Sequence, residues 1–181
     1  NKATELIIIQ NYGGMVGGAD YYIYQYAKEN ELNIKAVYTI KMPENFTLTF
    51  TVPKFYVNRT LKNADKRINN VINSIVSGYY KIPKKCKTKR DTYLKNKSNW
   101  HLIGEDFSTT QNCIKCGKCV SICPVNNISL QNEKIVFSNK CVACLGCYHR
   151  CPLKAIIYKG KNKKDRYINS NVIESNIGRD L

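Results

Sequence analysis

Residues 113–124 read Cys113-Ile-Lys-Cys116-Gly-Lys-Cys119-Val-Ser-Ile-Cys123-Pro124, and this stretch decides the fold of the C-terminal part of the chain. A second copy reads Cys141-Val-Ala-Cys144-Leu-Gly-Cys147-Tyr-His-Arg-Cys151-Pro152, so each cysteine recurs 28 positions later. Both copies have the form C-x2-C-x2-C-x3-C-P, in which four thiolates are spaced to bind an iron–sulfur cubane. The repeat therefore predicts two [4Fe–4S] clusters and eight cysteine ligands.

The spacing also predicts which cysteines share a cluster. One tight loop lets the first three cysteines of a copy bind three corners of a cubane, while the fourth, followed by proline, reaches the other cluster. The first expected ligand set is Cys113, Cys116, Cys119 and Cys151, and the second is Cys141, Cys144, Cys147 and Cys123. Gly117 and Gly146 are expected to leave room for backbone N–H groups that approach cluster sulfurs. Crossed ligation places the two clusters near each other, about a pseudo-two-fold axis.

Other uses of clustered cysteines fit this spacing less well. Structural zinc sites pair two C-x2-C units across a longer loop, disulfide frameworks spread cysteines through the fold, and haem attachment requires C-x-x-C-H. His101 and His149 are the only histidines. Because eight thiolates already fill two clusters, we expect both histidines to be at the surface or hydrogen-bonded. Cys86 lies outside the motifs and is expected to be a free thiol.

The residues around the motifs predict a small α+β domain over residues 105–160. Residues 127–130 and 134–137 have the pattern of a β-hairpin, and residues 155–158 supply an equivalent strand after the second motif. Short helical turns are expected just after each Cys-Pro pair. Eight apolar residues are expected to surround the clusters and limit the access of water: Ile114, Ile122, Ile128, Val136, Val142, Leu153, Ile156 and Ile157.

Residues 1–80 have the pattern of an α/β domain. The apolar run Leu6–Ile9 predicts a strand buried on both faces. A glycine-rich turn follows, and then a helix over about Ala19–Asn30 and a second strand over Ile34–Ile40. This order forms a βαβ unit, which predicts parallel strands and a right-handed crossover. A later helix is expected over about Lys62–Ser77, where apolar residues recur every three or four positions.

Two parallel strands do not make a stable sheet alone, because a parallel sheet buries both faces. The chain also starts at Asn1 rather than Met. We therefore expect it to be the later part of a longer protein. A basic connector over residues 81–104 and a polar tail over residues 161–181 complete the predicted organisation, with Trp100 and Phe107 packing the connector onto the cysteine-rich domain.

The net charge of +16 raises nucleic acid as a partner. However, 23 of the 29 basic residues are lysine, they are scattered, and the chain is also rich in other residues with AT-rich codons. Bound clusters would add negative charge, so no specific nucleic-acid partner is expected. The longest apolar run, Leu6–Ile9, is too short for a membrane span or a signal peptide. The sequence therefore predicts a soluble, cytoplasmic protein.

The chain resembles the flavodoxin–ferredoxin fusion proteins of anaerobic bacteria. The two cysteine motifs carry the ferredoxin part, and three short segments over about residues 4–80 carry the flavodoxin part: Tyr12-Gly13-Gly14, Gly17-Gly18-Ala19 and Lys41-Met42-Pro43-Glu44-Asn45. The resemblance implies the C-terminal part of a flavodoxin-like parallel sheet, followed by a pseudo-two-fold ferredoxin-like domain with two [4Fe–4S] clusters.

The resemblance also implies that Tyr12, Gly13 and Gly14 lie against the flavin ring of FMN. Ligands of doubly wound sheets bind beyond the carboxyl ends of the strands, where these residues lie. An equal alternative is that the glycines only form a tight turn. The phosphate-binding loop of flavodoxins follows their first strand, and no such segment occurs here, so FMN is expected only in the full-length protein.

The sequence thus predicts an electron carrier more than an enzyme. The carrier would exchange electrons with a redox partner protein or a flavoprotein, and with a flavin in the full-length protein. The alternative is a flavin-dependent oxidoreductase in which the clusters feed electrons to FMN.

Overall fold

The computed structural model describes residues 4–85, 99–162, 166–169 and 172. These residues belong to two compact units. The first contains residues 4–45 and 52–85, and the second contains residues 46–51 together with the described residues from 99 onward. Cys86 and much of the predicted connector lie outside the described residues. The predicted domain boundaries stay predictions.

The first unit is a βαβ unit followed by a long helix. Its elements are β1 (Leu6–Tyr12), α1 (Ala19–Glu29), β2 (Ile34–Lys41) and α2 (Lys54–Val76). The two strands pair in parallel, with Ile8 beside Val37 and Tyr12 beside Lys41. The predicted strand–helix–strand order and the parallel pairing are therefore confirmed.

The two helices of this unit cover opposite faces of the sheet. Val37 packs with Ala27 of α1, whereas Ala36 and Tyr38 pack with Val71 of α2. Because successive strand residues point to opposite faces, this alternation puts one helix on each side.

The prediction that the first strand is buried on both faces is confirmed only in part. Ile8 packs against the buried cluster on the α1 face and Ile7 against the cluster on the α2 face. No residue of β1 is fully buried, however, and Ile9 is 52% exposed. The more deeply buried strand is β2, in which Ala36, Val37 and Tyr38 are all buried. Within the described residues β1 pairs with β2 alone, so one edge and part of its surface face solvent.

Helix α2 begins eight residues earlier than predicted, directly after Pro53. Proline is suited to this place, because its fixed φ matches a helix start and it has no N–H to leave unpaired. The prediction relied on the spacing of apolar residues, and the first turns of α2 lack that spacing. The residue that these turns bury is the polar Thr60.

The second unit is built from short elements. These are a 3-10 helix (Trp100–Asp106), β3 (Phe107–Thr109), α3 (Lys118–Ser121), β4 (Ile128–Gln131), β5 (Lys134–Phe137), α4 (Gly146–Arg150) and β6 (Ile156–Tyr158). Strand β4 pairs antiparallel with β5, and β3 pairs antiparallel with β6. Asn132 and Glu133, both with positive φ, form the turn of the β4–β5 hairpin. The predicted hairpin and the strand after the second motif are confirmed, whereas β3 was not predicted.

The helical turns expected after each Cys-Pro pair lie before it instead. Helices α3 and α4 fall inside the two motifs, between the second and the fourth cysteine. The residues after Cys123 and Cys151 form non-helical turns. The reason is that each fourth cysteine is separated from the third by one helical turn, after which proline ends the helix.

The two sheets of this unit are related by the 28-residue repeat. Phe107 pairs with Tyr158, and the equivalent residues, Ile135 and Leu130, pair in the other sheet. Loop conformations repeat as well. Lys115 and its equivalent Ala143 both have positive φ angles, of 57° and 54°. Asn126 and its equivalent Lys154 do as well, with φ of 51° and 50°. The predicted pseudo-two-fold α+β fold is confirmed at the level of strand register and loop backbone.

The main buried cluster of the second unit comprises Leu48, Phe107, Leu145, Tyr148 and Ile156. Phe107 thus packs into the domain as predicted, while the side chain of Trp100 lies outside the described part. Leu48 shows that residues 46–51 add to this core.

The predicted apolar surround is confirmed only in part. Ile128 and Ile156 are buried, and Ile122 and Ile157 are partly buried. Ile114, Val142 and Leu153 line the cysteine cavities described below, although their side chains are exposed. They therefore surround the cavities without closing them to water. The prediction is wrong for Val136, which is exposed and lines neither cavity. None of the helices in the described part of the chain has the length and apolarity of a membrane span.

Candidate iron–sulfur centre

Two cavities in the second unit are each lined by four cysteines. The first cavity is lined by Cys113, Cys116, Cys119 and Cys151. The second is lined by Cys123, Cys141, Cys144 and Cys147. Each cavity therefore combines three cysteines of one motif with the fourth cysteine of the other.

Each motif holds its first three cysteines by a loop that leads into a short helix. Gly117 and Leu145 precede α3 and α4 in the left-handed conformation, with φ of 73° and 57°. Leu145, rather than Gly146, is thus the counterpart of Gly117. Its side chain is buried in the core, and burial of a leucine offsets the cost of about 1 kcal/mol for left-handed backbone. Gly117 and Gly146 therefore occupy different positions in the repeat, and their expected role of leaving room for N–H groups beside cluster sulfurs stays a prediction.

Backbone N–H groups donate hydrogen bonds to the sulfurs of Cys123, Cys141 and Cys151, among others. Asn127 N–H donates to Cys123 Sγ at 3.2 Å, and Ala155 N–H donates to Cys151 Sγ at the same 3.2 Å. These two bonds are equivalent in the repeat. Ala143 N–H donates to Cys141 Sγ at 3.4 Å. Such donors stabilise a thiolate and tune a cluster that it binds.

These donors were not predicted from the sequence. Their side chains give no signal, because only the main chain takes part. The signal that could have found them is the spacing, since each fourth cysteine accepts from the residue four positions later.

Burial raises the pKa of three cysteine thiols. Desolvation, helped by the neighbouring Cys113, raises the pKa of Cys119 to about 11. Desolvation and then Cys144 raise the pKa of Cys147 to about 12. Desolvation also raises the pKa of Cys141. Thiols with such pKa values are protonated at neutral pH, so iron must displace their protons in order to bind.

The chemistry of the two cysteine sets fits an iron–sulfur cubane. All eight sulfurs are soft ligands, several accept backbone hydrogen bonds, and four cysteines line each cavity. In the described part of the chain, no group of three or more His, Cys, Asp or Glu side chains converges as around a single ion. Each thiolate of a cubane binds its own iron atom, so its ligands do not converge on one point.

The two histidines behave as predicted. His101 is exposed. His149 is 5% exposed, and its Nδ1 accepts a hydrogen bond from Tyr167 N–H at 3.1 Å. Neither histidine lines the two cavities.

Part of the C-terminal tail contacts the cysteine-rich domain, which sequence reasoning missed. The guanidinium carbon of Arg166 lies 3.4 Å from the ring centroid of Tyr148. Arg166 Nη2 donates to the carbonyl oxygen of Ile156 at 2.9 Å. Tyr148 is in α4 and Ile156 is in β6, so this contact joins the tail to the helix inside the second motif and to the strand that follows the motif.

The predicted flavin loop lies at the carboxyl end of β1, beside the turn that follows β2. Gly14 N–H donates to Glu44 Oε2 at 2.8 Å. A Cβ atom on Gly13 would stand 2.6 Å from Glu44 Oε2. The turn thus lies close against the Glu44 carboxylate, which agrees with the alternative that the glycines form a tight turn. The role of Tyr12, Gly13 and Gly14 in flavin binding stays a prediction.

Comparison with known proteins identifies the cysteine-rich region. Residues 112–155 match the family model of the 4Fe-4S dicluster domain. None of the curated proteins compared with the chain matches it significantly. The matched residues contain all eight cysteines of the two cavities, the hairpin and α4. The chain thus contains a ferredoxin-like iron–sulfur domain, and a domain of this kind suggests electron transfer.

Proposed function

We propose that this protein is an electron carrier with two [4Fe–4S] clusters bound by crossed sets of cysteines. The observation that carries the proposal is the composition of the two cavities, each of which takes its fourth cysteine from the opposite motif. The first cluster is assigned to Cys113, Cys116, Cys119 and Cys151. The second is assigned to Cys141, Cys144, Cys147 and Cys123.

A [4Fe–4S] cluster supplies one-electron chemistry at a potential that the surrounding protein adjusts. The chain provides the conditions for this chemistry. Ile128 and Ile156 are buried beside the cysteines and keep water away from one side. The N–H groups of Asn127 and Ala155 donate to the sulfurs of Cys123 and Cys151. Such donors stabilise the extra negative charge of a reduced cluster and so raise its potential.

Electrons are proposed to enter and leave where the cysteines reach the surface. Cys116 and Cys144 are exposed and are equivalent in the repeat. The side chains of Ile114 and Val142, also equivalent, are 63% and 53% exposed next to them. Exposed apolar residues around a redox centre suit brief contact with a redox partner protein or a flavoprotein.

An anaerobic reductive titration of the reconstituted chain tests this function. We expect reversible uptake of about two electrons per chain, one for each cluster. The reduced protein should then pass its electrons to a one-electron dye and recover its oxidised spectrum. Loss of the cluster absorbance within one cycle would show that the clusters are structural and would overturn the proposal.

We further propose that the clusters exchange electrons with a flavin in a longer protein. This exchange is supported by the parallel β1–β2 pair, which brings the turns at residues 13–18 and 42–45 to one end of the sheet. Absence of flavin absorbance from the purified full-length protein would remove both this exchange and the alternative of a flavin-dependent oxidoreductase. The cytoplasmic location and the lack of a specific nucleic-acid partner stay predictions.

A further inference from the structure

A cavity of about 510 Å³ lies in the first unit, between the strand ends and the first half of α2. We call it the α2 cavity. Its lining residues are Tyr12, Thr39, Lys41, Tyr56, Arg59, Thr60, Asn63, Ala64 and Arg67. A cavity of this volume is in the range of small-molecule sites.

The α2 cavity is lined by three cations and by no carboxylate. Lys41 Nζ lies 5.8 Å from the ring centroid of Tyr56. Arg67 Nε donates to the carbonyl oxygen of Thr39 at 3.3 Å, which fixes its guanidinium at the wall. Like charges gathered in this way repel one another, and a bound anion relieves the repulsion.

Two of the three cations are arginines, in a chain that uses arginine sparingly. Only six of the 29 basic residues are arginine, and both Arg59 and Arg67 line the α2 cavity. The planar guanidinium forms paired hydrogen bonds with phosphate oxygens, which the ammonium of lysine does not. A compositional drift toward lysine does not explain why arginine supplies two of the three cations of this cavity.

The inward face of α2 changes character where it passes the α2 cavity. In its second half the sheet-facing residues are the apolar Val71 and Ile75. Nearer its start, the residues that line the α2 cavity include Tyr56, Thr60, Ala64 and Arg67, so polar and charged groups replace most of the core-forming stripe. A position where the local pattern departs from what the fold requires is expected at a functional site.

From these observations we propose that the α2 cavity binds the phosphate group of a small phosphorylated molecule. Lys41, Arg59 and Arg67 would neutralise a phosphate monoester, which carries a charge of about −1.5 to −2 at neutral pH. The hydroxyl groups of Thr60, Tyr12 and Tyr56 offer further donors. The volume exceeds that of phosphate alone, which leaves room for the organic part. This site is separate from the cysteine cavities and does not depend on the proposed electron transfer.

The test is a titration of the reconstituted full chain with inorganic phosphate and with glycerol 3-phosphate. Both are added at constant ionic strength, with chloride and glycerol as blanks. Amide chemical shifts in residues 39–41 and 56–67 report binding. We expect saturable shifts with both phosphates and none with the blanks. Arg59 is exposed, so Arg59→Gln should fold normally and raise the Kd at least about tenfold.

Lys62→Gln is the matched control, because Lys62 is exposed on the same helix and does not line the cavity. It removes the same charge and should leave the Kd unchanged. Lys41→Gln is a second cavity variant that does not alter α2, and it should weaken binding as Arg59→Gln does. An equal effect of Arg59→Gln and Lys62→Gln would show only general attraction of anions and would overturn the site. Shifts that do not saturate, or that chloride reproduces, would also overturn it.

Discussion

Cys123 and Cys151 have equivalent positions, yet each lies in the cavity of the other motif. Replacing Cys123 by alanine should therefore damage the cluster held by Cys141, Cys144 and Cys147. We expect about four iron atoms per chain to remain. Alkylation of the anaerobic protein, followed by mass spectrometry, should label those three cysteines and leave the first motif protected.

Two further variants sharpen this test. Cys151→Ala should give the mirror result, with Cys113, Cys116 and Cys119 becoming reactive. Cys86→Ala removes a cysteine outside the motifs and should retain all of the iron. If Cys123→Ala instead exposed the cysteines of its own motif, the clusters would be bound by consecutive quartets and the crossed assignment would be wrong.

The raised pKa values of Cys119 and Cys147 predict slow alkylation of the iron-free chain. The thiolate is the reactive form, and a pKa of about 11 in place of 9.0 reduces its fraction at pH 8 by about a hundredfold for Cys119. The pKa is raised, so reactivity should keep increasing as the pH rises from 8 through 10. Mass spectrometry after timed exposure to iodoacetamide measures this rate. A rate that levels off above pH 9 would contradict the raised pKa.

Gly104 is a further residue on which the second unit depends. A Cβ atom there would collide with the carbonyl oxygen of Ser138 and would lie 3.0 Å from the Cβ of Cys141. Gly104→Ala should therefore lower the free energy of unfolding by about 1–3 kcal/mol. The thermal midpoint of the anaerobic, cluster-loaded protein measures the change. Glu105→Ala, at an exposed neighbour, should stay within about 0.5 kcal/mol. Equal midpoints for both variants would show that Ser138 moves aside freely.

At the scale of elements, the 28-residue repeat determined what the sequence could predict. Adding 28 positions to the hairpin strand β4 predicted the strand β6. The same offset applied backwards from β5 would have yielded β3, whose three residues are too short to show a strand pattern on their own. The first turns of α2 were missed for a different reason. Their inward residues, such as Tyr56 and Thr60, line the α2 cavity rather than an apolar core.

The candidate iron–sulfur site was also predictable only in part. The cysteines and their crossed grouping were predictable, because spacing alone dictates them. The N–H donors of Asn127 and Ala155 leave no trace in residue type, and only their place four residues after each fourth cysteine could have marked them. The Glu44 contact at Gly13 and Gly14 was not predictable, because it joins residues 30 positions apart.

The tail contact of Arg166 makes a prediction at this scale, because it links α4 and β6. Arg166→Ala removes a cation over the ring of Tyr148 and two hydrogen bonds to carbonyl oxygens. We expect the free energy of unfolding to fall by about 2 kcal/mol. Arg166→Lys keeps the charge but loses the planar fork, so its thermal midpoint should lie between those of the alanine variant and the parent. An unchanged midpoint for Arg166→Ala would show that the tail does not stabilise the domain.

At the scale of the whole molecule, the chain combines an α/β unit with a ferredoxin-like iron–sulfur domain. The second is defined by its cysteines, its internal repeat and its family match over residues 112–155. The first contains a parallel strand pair and a cation-lined cavity. Electron transfer is assigned to the second unit alone, and phosphate binding to the first, so each assignment is testable without the other.

The central claim is that the eight cysteines of the two motifs bind two cubanes. Iron and acid-labile sulfide per chain, measured after anaerobic reconstitution and removal of excess reagents, test it most directly. We predict about eight iron atoms and about eight sulfides per chain. About four of each, or fewer, in fully reconstituted protein would contradict the claim.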